Sequence, residues 1–140
     1  MTAGVPIDAI GLQCHLMPSK PFDFEDYARY IERFTRAGLE VHITELDVED
    51  IDPEKAPVDR DASIARIYTR FLSTALQNKR VTQLIMWQLG DRHSWYHYQA
   101  LEKGVTSPAQ WPRPLLYDGN YKRKPAWHAV AAALTNMPKR

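Results

Sequence analysis

Residues 39–48 read LEVHITELDV, the segment on which the prediction of the fold rests. This β-rich run contains five aliphatic residues and is typical of a β-strand. Because side chains alternate between the two faces of a strand, unbroken alternation places Val41, Ile43, Glu45 and Asp47 on one face. A carboxylate within such a strand is costly to bury without a partner or a purpose. The alternative is a carboxylate at a strand end that simply faces solvent.

Two further segments have the same β-rich character, and helical patterns separate the three. Asp23 is the predicted N-cap of the first helix and Gly38 its predicted C-cap. Pro125 suits the first turn of the last helix. The strands are predicted at residues 7–16, 39–48 and 81–89, and the helices at residues 24–37, at residues 59–78 and from about residue 124 onward. A long aromatic loop is predicted at residues 90–123.

This alternation of strand and helix predicts an α/β fold in which a parallel sheet has helices outside it. A (β/α)₈ barrel has about 250 residues, and this chain of 140 residues supplies three of its eight units, counted by its predicted strands. Three parallel strands alone would leave two unpaired edges and expose half of a barrel interior. Either other segments complete a barrel, or the chain is a compact open α/β domain. Residues 1–9 resemble the end of a helix-to-strand turn, which favours the first alternative.

The composition excludes several classes of protein. With 44% hydrophobic and 25% charged residues, the sequence is neither disordered nor typical of a membrane protein. A net charge of +1 provides no general attraction for nucleic acid or anionic lipid. The single cysteine, Cys14, excludes an internal disulfide and a cysteine-based zinc site. Four Trp and seven Tyr are more than a small core needs, and aromatic side chains outside a core often stack on sugar rings.

Strand parity also gathers polar residues at the carboxyl ends of the strands. Gln13 and His15 share a face of the first strand, while Cys14 and His42 have the opposite parity and are predicted to pack beneath helices. On the third strand, one face is predicted to carry Val81, Gln83, Ile85 and Trp87. If these faces point inward, the polar side chains meet where parallel barrels place their active sites.

Four blocks of the sequence resemble the retaining endo-β-1,4-xylanases of glycoside hydrolase family 10, in the same order and at similar spacing. They are IGLQCHL at residues 10–16, LEVHITELDV at 39–48, MWQLGDRHSW at 86–95, and PLLYD at 114–118 with KPAW at 124–127. The first three resemble the sixth, seventh and eighth strands of that family. Together the blocks extend over nearly the whole chain. The resemblance implies that residues 1–140 are the C-terminal portion of a (β/α)₈ catalytic domain.

The resemblance also implies a role for individual residues. Glu45 matches the catalytic nucleophile, His15 the histidine that hydrogen-bonds it, and Asp47 the carboxylate that holds this histidine. Three further residues match positions that bind the substrate: Gln13, Trp87 and Trp95. Ordinary core packing is the alternative explanation for a histidine such as His15. The implied substrate is xylan or a xylo-oligosaccharide, and no metal or other cofactor is expected.

A second carboxylate is required by this chemistry, and the sequence does not supply it. In the family, the acid/base Glu follows an Asn at the end of the fourth strand, and these 140 residues contain no Asn-Glu pair. We therefore expect the chain alone to be inactive unless it is completed. The expected partner that completes the fold is a complementary barrel segment or, through self-association, a second copy of the chain. The alternatives are a non-catalytic carbohydrate-binding or interaction fragment, and another retaining (β/α)₈ glycosidase.

Less specific expectations concern the long loop and the location of the protein. Asp91 and Arg92 are predicted to form an ion pair at the start of the loop, and residues 122–124 to form a solvated basic turn. The aromatic loop residues are predicted to line outer sugar subsites or to anchor the loop: Tyr96, Tyr98 and Trp111. The resemblance implies an extracellular or periplasmic protein, although Met1 to Pro6 have no signal-peptide character.

Overall fold

The computed structural model describes residues 4–139. Both ends of the predicted domain 1–140, and the beginning of the stretch Met1 to Pro6, lie outside the described residues. Strands and helices follow one another as β1 (Ala9–Leu12), β2 (His15–Leu16), α1 (Phe24–Arg36), β3 (Glu40–Val48), α2 (Pro57–Ala75), β4 (Val81–Met86), α3 (Trp95–Glu102) and α4 (Pro125–Asn136). This order confirms the predicted three β-α units. Within the described range, no helix is both long and apolar enough to cross a membrane.

The central strand of the sheet is β3, and all of its pairings are parallel. It pairs with β1 and β2 along one edge and with β4 along the other. β1 and β2 are two pieces of the single strand predicted at residues 7–16. They are interrupted near Cys14, whose φ of 64° is uncommon for a residue other than glycine. The Glu45 amide donates to the Gln13 carbonyl at 3.0 Å, so pairing with β3 continues across the interruption.

The core lies between this sheet and the helices on one of its faces. Val41, Ile43, Leu46 and Val48 of β3 are all fully buried. They pack in one cluster with residues of the three long helices, among them Ile31 of α1, Tyr68 and Phe71 of α2, and Ala126 and Val130 of α4. The opposite face of the sheet is open, as the interior face of an incomplete barrel would be.

One extra residue in β3 interrupts the alternation of its side chains. Ile43 pairs with Leu84 and Leu46 pairs with Met86, so three steps along β3 match two steps along β4. Such a β-bulge re-aims the side chains that follow it. The faces of β3 before and after the bulge therefore cannot be derived from simple parity.

The bulge overturns part of the predicted face. Val41 and Ile43 point toward the helices, because both belong to the buried core cluster. Glu45 and Asp47 lie on the other face, where both contact His15. The prediction that Val41 and Ile43 share a face with the two carboxylates was wrong. The extra residue allows aliphatic side chains on both sides of the bulge to reach the same core.

A second irregularity shifts the register of β4. Val41 pairs with Val81, whereas the next residue, His42, pairs with Gln83. Val81 consequently lies in the core at 1% exposure, and its predicted inward position was wrong. Ile85 and Trp87 are about half exposed on the open face, as parity predicts.

The two residues predicted to pack beneath helices differ in outcome. Cys14 packs against the core and lies 3.2 Å from the Tyr27 hydroxyl of α1, which confirms its prediction. His42 lies outside the core cluster and contacts Glu40 at 3.4 Å. Its prediction was wrong because His42 precedes the bulge, where the helix-facing positions are those of the aliphatic residues.

Local signals place the ends of α1 correctly. The Asp23 carboxylate accepts hydrogen bonds from the Glu25 and Asp26 amides, and Gly38 has a φ of 89° just after the helix. The bounds of α2 and β4 differ more from the prediction. Helix α2 begins at Pro57 and ends at Ala75, and β4 ends at Met86 rather than near residue 89.

The predicted loop 90–123 contains the eight-residue helix α3 and two 3₁₀ turns, Asp91–His93 and Pro108–Gln110. The Ser94 hydroxyl caps α3 by accepting from the His97 amide. His97 and Ala100 are buried on the inner side of this helix. The sequence signal was weak because α3 is short and has aromatic residues on several sides.

A buried cluster of six charged residues fastens this loop to α2 and to the start of α4. Its acidic members are Asp50, Asp61 and Asp91, and they pair with the basic members Arg60, Arg113 and Lys124. Three acids and three bases leave it without net charge. The predicted solvated turn at residues 122–124 was therefore wrong for Lys124, whose side chain is 3% exposed.

Asp91 pairs with Lys124 at 2.8 Å, so the ion pair predicted for it with Arg92 gives way to one with the start of α4. Asp91 also accepts from the Leu115 amide at 2.9 Å. Burial raises the pKa of Asp91 to about 6, while the adjacent Lys124 ammonium opposes this rise. The carboxylate thus connects three segments that are distant in the sequence.

Arg60 is the most enclosed member of this cluster, and its replacement should strongly destabilise the fold. Its guanidinium binds Asp50 and the carbonyls of Ala109 and Trp111, with no exposed surface. We expect Arg60→Met to lower the free energy of unfolding by about 3 kcal/mol or more, because it leaves a buried carboxylate unpaired. The matched change Arg36→Met, at an exposed ion pair, should cost less than about 1 kcal/mol. Urea denaturation followed by circular dichroism measures both, and equal losses would contradict the importance of burial.

Candidate active site

The carboxyl ends of β2 and β3 bring one histidine between two carboxylates. His15 pairs with Asp47 in the register of the two strands. Its Nδ1 lies 2.9 Å from Asp47 Oδ1, and its Nε2 lies 3.1 Å from Glu45 Oε2. The β3 bulge is what turns both carboxylates toward the same ring. Sequence reasoning predicted this grouping, and the structure brings the three side chains together.

The two carboxylates differ sharply in their exposure. The side chain of Glu45 is 22% exposed, whereas that of Asp47 is 2% exposed. Burial raises the pKa of Asp47; the contact with His15 opposes the rise, and the charges of Glu45 and Glu49 add to it. Of the two carboxylates, Glu45 is therefore the one that a molecule from solvent can reach, while Asp47 is covered and contacts His15.

The proton inventory of this group is constrained. An ionised carboxylate only accepts hydrogen bonds, and a neutral imidazole carries a single N–H. Both His15 contacts can be hydrogen bonds at once only when the ring carries two protons, or when one carboxyl group is protonated. Either way, these three side chains hold two protons together, one in each contact.

Tyr96 is a further member of the site that sequence reasoning did not assign to it. Burial, together with the charges of Asp47 and Glu49 and a hydrogen bond to Asp47, raises the pKa of Tyr96 well above its ordinary value. The phenol therefore stays protonated and can donate to the buried carboxylate. Because Tyr96 lies in the first turn of α3, this contact ties the long loop to β3. Its discovery required the position of α3, which the sequence does not indicate.

The three predicted substrate-binding residues are placed differently with respect to this group. Gln13 Nε2 lies 3.5 Å from Glu45 Oε1, at the limit of a hydrogen bond. The Trp87 ring meets the His15 ring edge to face, with 6.0 Å between centroids. Trp95 stands at the start of α3, where it is 54% exposed and contacts the Tyr96 ring. Trp95 thus contacts Tyr96, the residue that hydrogen-bonds Asp47.

Other polar groupings are less suited to chemistry. Glu40, His42 and Thr82 form hydrogen bonds at the opposite, amino-terminal end of the strands, the end that parallel barrels use for stability. Trp111 packs its ring on His97 rather than on the open face, so it anchors the loop. Within the range 4–139, no group of three or more His, Cys, Asp or Glu side chains could hold a metal ion.

Comparison with known proteins gives a consistent result. A sequence model of glycosyl hydrolase family 10 matches residues 1–133. Endo-1,4-beta-xylanase B of Butyrivibrio fibrisolvens is 31% identical over 132 residues, which cover 91% of this chain and 19% of that protein. Endo-1,4-beta-xylanase A of Humicola insolens is 30% identical over 141 residues, covering 99% and 34% respectively. The chain spans about a third or less of the length of these relatives.

Solved structures agree with the sequence matches. Native xylanase 10B from Thermotoga maritima superimposes with a TM-score of 0.77 at 27% identity, covering 96% of this chain and 38% of that one. Xylanase 10B from Thermotoga petrophila RKU-1, solved in complex with xylobiose, gives a TM-score of 0.77 at 28% identity, with the same coverage. With its sequence matched almost throughout and its three β-α units superimposed, this chain belongs to glycosyl hydrolase family 10, as the C-terminal part of the (β/α)₈ barrel.

Proposed function

We propose that this chain forms part of an endo-β-1,4-xylanase that cleaves internal bonds of xylan with retention of configuration, with Glu45 as its nucleophile. The observation that carries the proposal is the pairing of one reachable carboxylate, Glu45, with one buried carboxylate, Asp47, across His15. This division gives one group to touch the sugar and another to hold the histidine. The relatives are named endo-1,4-beta-xylanases, and this indicates xylan as the substrate class.

In the first step of this mechanism, a Glu45 carboxylate oxygen attacks the anomeric carbon of the sugar. The bond from this carbon to the leaving oxygen breaks, and its electron pair remains on that oxygen, which takes a proton from a second carboxylic acid. A covalent glycosyl-enzyme ester results. His15 holds Glu45 in the attacking orientation, and Asp47 with Tyr96 restricts rotation of the imidazole ring.

In the second step, water replaces the ester bond. The second carboxyl group, now ionised, takes a proton from the attacking water, and Glu45 leaves as a carboxylate. The two carboxyl groups of a retaining enzyme stand about 5–5.5 Å apart. We assign the second group to another part of the barrel, because the Asn-Glu pair that carries it in the family is not among these 140 residues.

The open face of the sheet supports both a sugar ligand and a partner segment. Trp87 and Trp95 are each about half exposed near the carboxyl ends of the strands and could frame the sugar at the cleavage point. In the described part of the chain, β1 and β4 each pair with β3 alone, so each has an unpaired edge. A complementary barrel segment would cover these edges and place its own carboxylate opposite Glu45. Self-association of this chain would cover the edges without adding that carboxylate.

Two other functions can be separated by experiment. A non-catalytic carbohydrate-binding fragment would use the exposed tryptophans but would never form a covalent bond with a substrate. Another retaining (β/α)₈ glycosidase would form that bond with a different sugar. In a completed barrel, comparing hydrolysis of xylan, cellulose and mannan separates the second alternative, and a mechanism-based glycosyl fluoride separates the first.

The first prediction concerns Glu45 and the completion of the barrel. The 140-residue chain alone should hydrolyse xylan no faster than a blank, because no acid protonates the leaving group. Co-expression with the N-terminal segment of a related family 10 barrel should restore hydrolysis, and Glu45→Gln should reduce it by more than about a thousandfold. A glycosyl fluoride should label Glu45, as read by peptide mass spectrometry. Restored activity that survives Glu45→Gln would disprove the nucleophile assignment.

The second prediction concerns the buried partner, Asp47. Because burial raises its pKa in the folded state, the stability associated with Asp47 is present below the unfolded pKa of about 3.9 and is lost as pH rises through the folded pKa. The Asp47→Asn variant has no carboxyl group to ionise at this position, so it does not lose this stability as pH rises. The stability of Asp47→Asn relative to the unmodified chain should therefore increase as pH is raised from 3.5 to 7, in urea denaturation followed by circular dichroism.

Asp23→Asn is the matched control, because the sign reverses there. The amide hydrogen bond from Asp26 is the main cause that lowers the pKa of Asp23. Its relative stability should therefore fall as pH rises through the same range. A flat or falling curve for Asp47→Asn would contradict the assignment of Asp47 as the buried, charge-tuned partner. In a completed barrel, Asp47→Asn should lower hydrolysis while leaving Glu45 in place to be labelled slowly.

A further inference from the structure

A pocket outside the candidate active site lies between the segment that precedes α1 and the outer face of α2. Its volume is about 560 Å³, within the range of small-molecule sites. We name it the α1–α2 pocket, and its principal lining residues are Met17, Lys20, Phe22, Phe24, Arg66 and Arg70. Its lining comes from residues 16–24 and from α2 rather than from the open sheet face, so completion of a barrel through the sheet edges does not require covering it.

Aromatic rings form the floor of this pocket and leave one side open. The Phe22 ring lies 4.8 Å from that of Phe24, 5.3 Å from that of Tyr27 and 6.1 Å from that of Phe71. Phe71 is fully buried, whereas Phe22 is 42% exposed. These edge-to-face and tilted contacts fix the cluster in place, so an added ring would find a preformed apolar surface.

The rim of the pocket is cationic and unbalanced. Lys20, Arg66 and Arg70 line it, and among the described residues none of the pocket's lining side chains is acidic. Arg66 and Arg70 stand four positions apart on α2, where like charges repel. The residues three and four positions from them are uncharged, apart from each other. On α1, by contrast, Arg29 and Arg36 are each paired with an acid of their own helix.

One of these cations is already held in a binding orientation. The Arg70 guanidinium lies over the Phe24 ring, 4.2 Å from its centroid. Stacking on a ring restricts the side chain while its N–H donors at the edge stay available to a carboxylate. Arg70 therefore joins the apolar floor to the charged rim.

We propose that the α1–α2 pocket binds a small amphipathic anion, namely an aromatic carboxylate whose ring completes the Phe22–Phe24–Phe71 cluster while its carboxylate meets Arg66 and Arg70. An uncharged aromatic compound would leave the repulsion between the two arginines in place. A carboxylate without a ring would leave the Phe22 surface exposed to water. The combination of ring and charge is the one that satisfies both halves of the pocket. This proposal is independent of the xylanase assignment.

The test compares trans-cinnamate with its uncharged analogue trans-cinnamamide, using the 140-residue chain and amide-detected NMR titration at 0.15 M salt. Cinnamate should bind at least about tenfold more tightly, because only the acid offers Arg66 and Arg70 a charged acceptor. Shifts should concentrate at Met17, Phe22 and Ile67, which line the pocket. Equal affinities for acid and amide, or shifts centred elsewhere, would overturn the proposal.

Charge-neutralising variants test whether Arg66 and Arg70 bind the carboxylate of cinnamate. The double change Arg66→Gln with Arg70→Gln should lower the affinity for cinnamate about tenfold, to that of the amide. The control Arg29→Gln with Arg36→Gln removes the same net charge from α1 and should leave the affinity unchanged within about twofold, because salt screens it. Equal losses of cinnamate affinity in the two double variants would contradict binding of the carboxylate by Arg66 and Arg70. If the first variant does not fold by circular dichroism, the comparison of acid with amide in the unmodified chain decides alone.

Self-association through the pocket would also contradict the proposal. In that case, the amide shifts of the pocket residues would depend on protein concentration in the absence of ligand. We expect them to be independent of it.

Discussion

Strand β3 has to place two kinds of side chain on opposite faces, and the fold depends on how it does so. Its aliphatic side chains are all needed beneath the helices, while Glu45 and Asp47 must stay on the opposite face, near His15. Simple alternation cannot meet both demands along one strand. The extra residue between Ile43 and Leu46 meets them, because it restores helix-facing positions to Leu46 and Val48. Each fully buried aliphatic side chain is worth about 1.5–3 kcal/mol, so the bulge is held by packing on both of its sides.

The same packing explains why the candidate active site is asymmetric. Asp47 follows the bulge closely and lies under α3, where Tyr96 reaches it, whereas Glu45 stays partly open to solvent. A buried, hydrogen-bonded carboxylate is a poor nucleophile but a good support for an imidazole ring. The difference in exposure between these two acids of one strand therefore matches the roles proposed for them.

The buried charged cluster has a complementary role in the long loop. That loop is held against α2 and the start of α4, and Trp95 and Tyr96 project from it. Asp91, Lys124 and Arg113 connect its two ends, and Arg60 reaches its middle through the carbonyls of Ala109 and Trp111. A buried ion pair is costly to form by itself, because both charges lose their water. Here the pairs belong to one network without net charge, and this network orders the loop.

Features that rest on local chemistry could be predicted from the sequence: the alternation of strand and helix, the Asp23 cap and the glycine that ends α1. Caps and turns depend on neighbours within a few residues. The grouping of Glu45, His15 and Asp47 was also predictable, but from the family pattern rather than from local chemistry. Only the tertiary structure decided which side chains of β3 and β4 face the helices, because a bulge is a property of two paired strands. It also decided the burial of Lys124 and the contact of Tyr96 with Asp47. In both, the partners are far apart in sequence, and neither partner alone indicates that the other will be within reach.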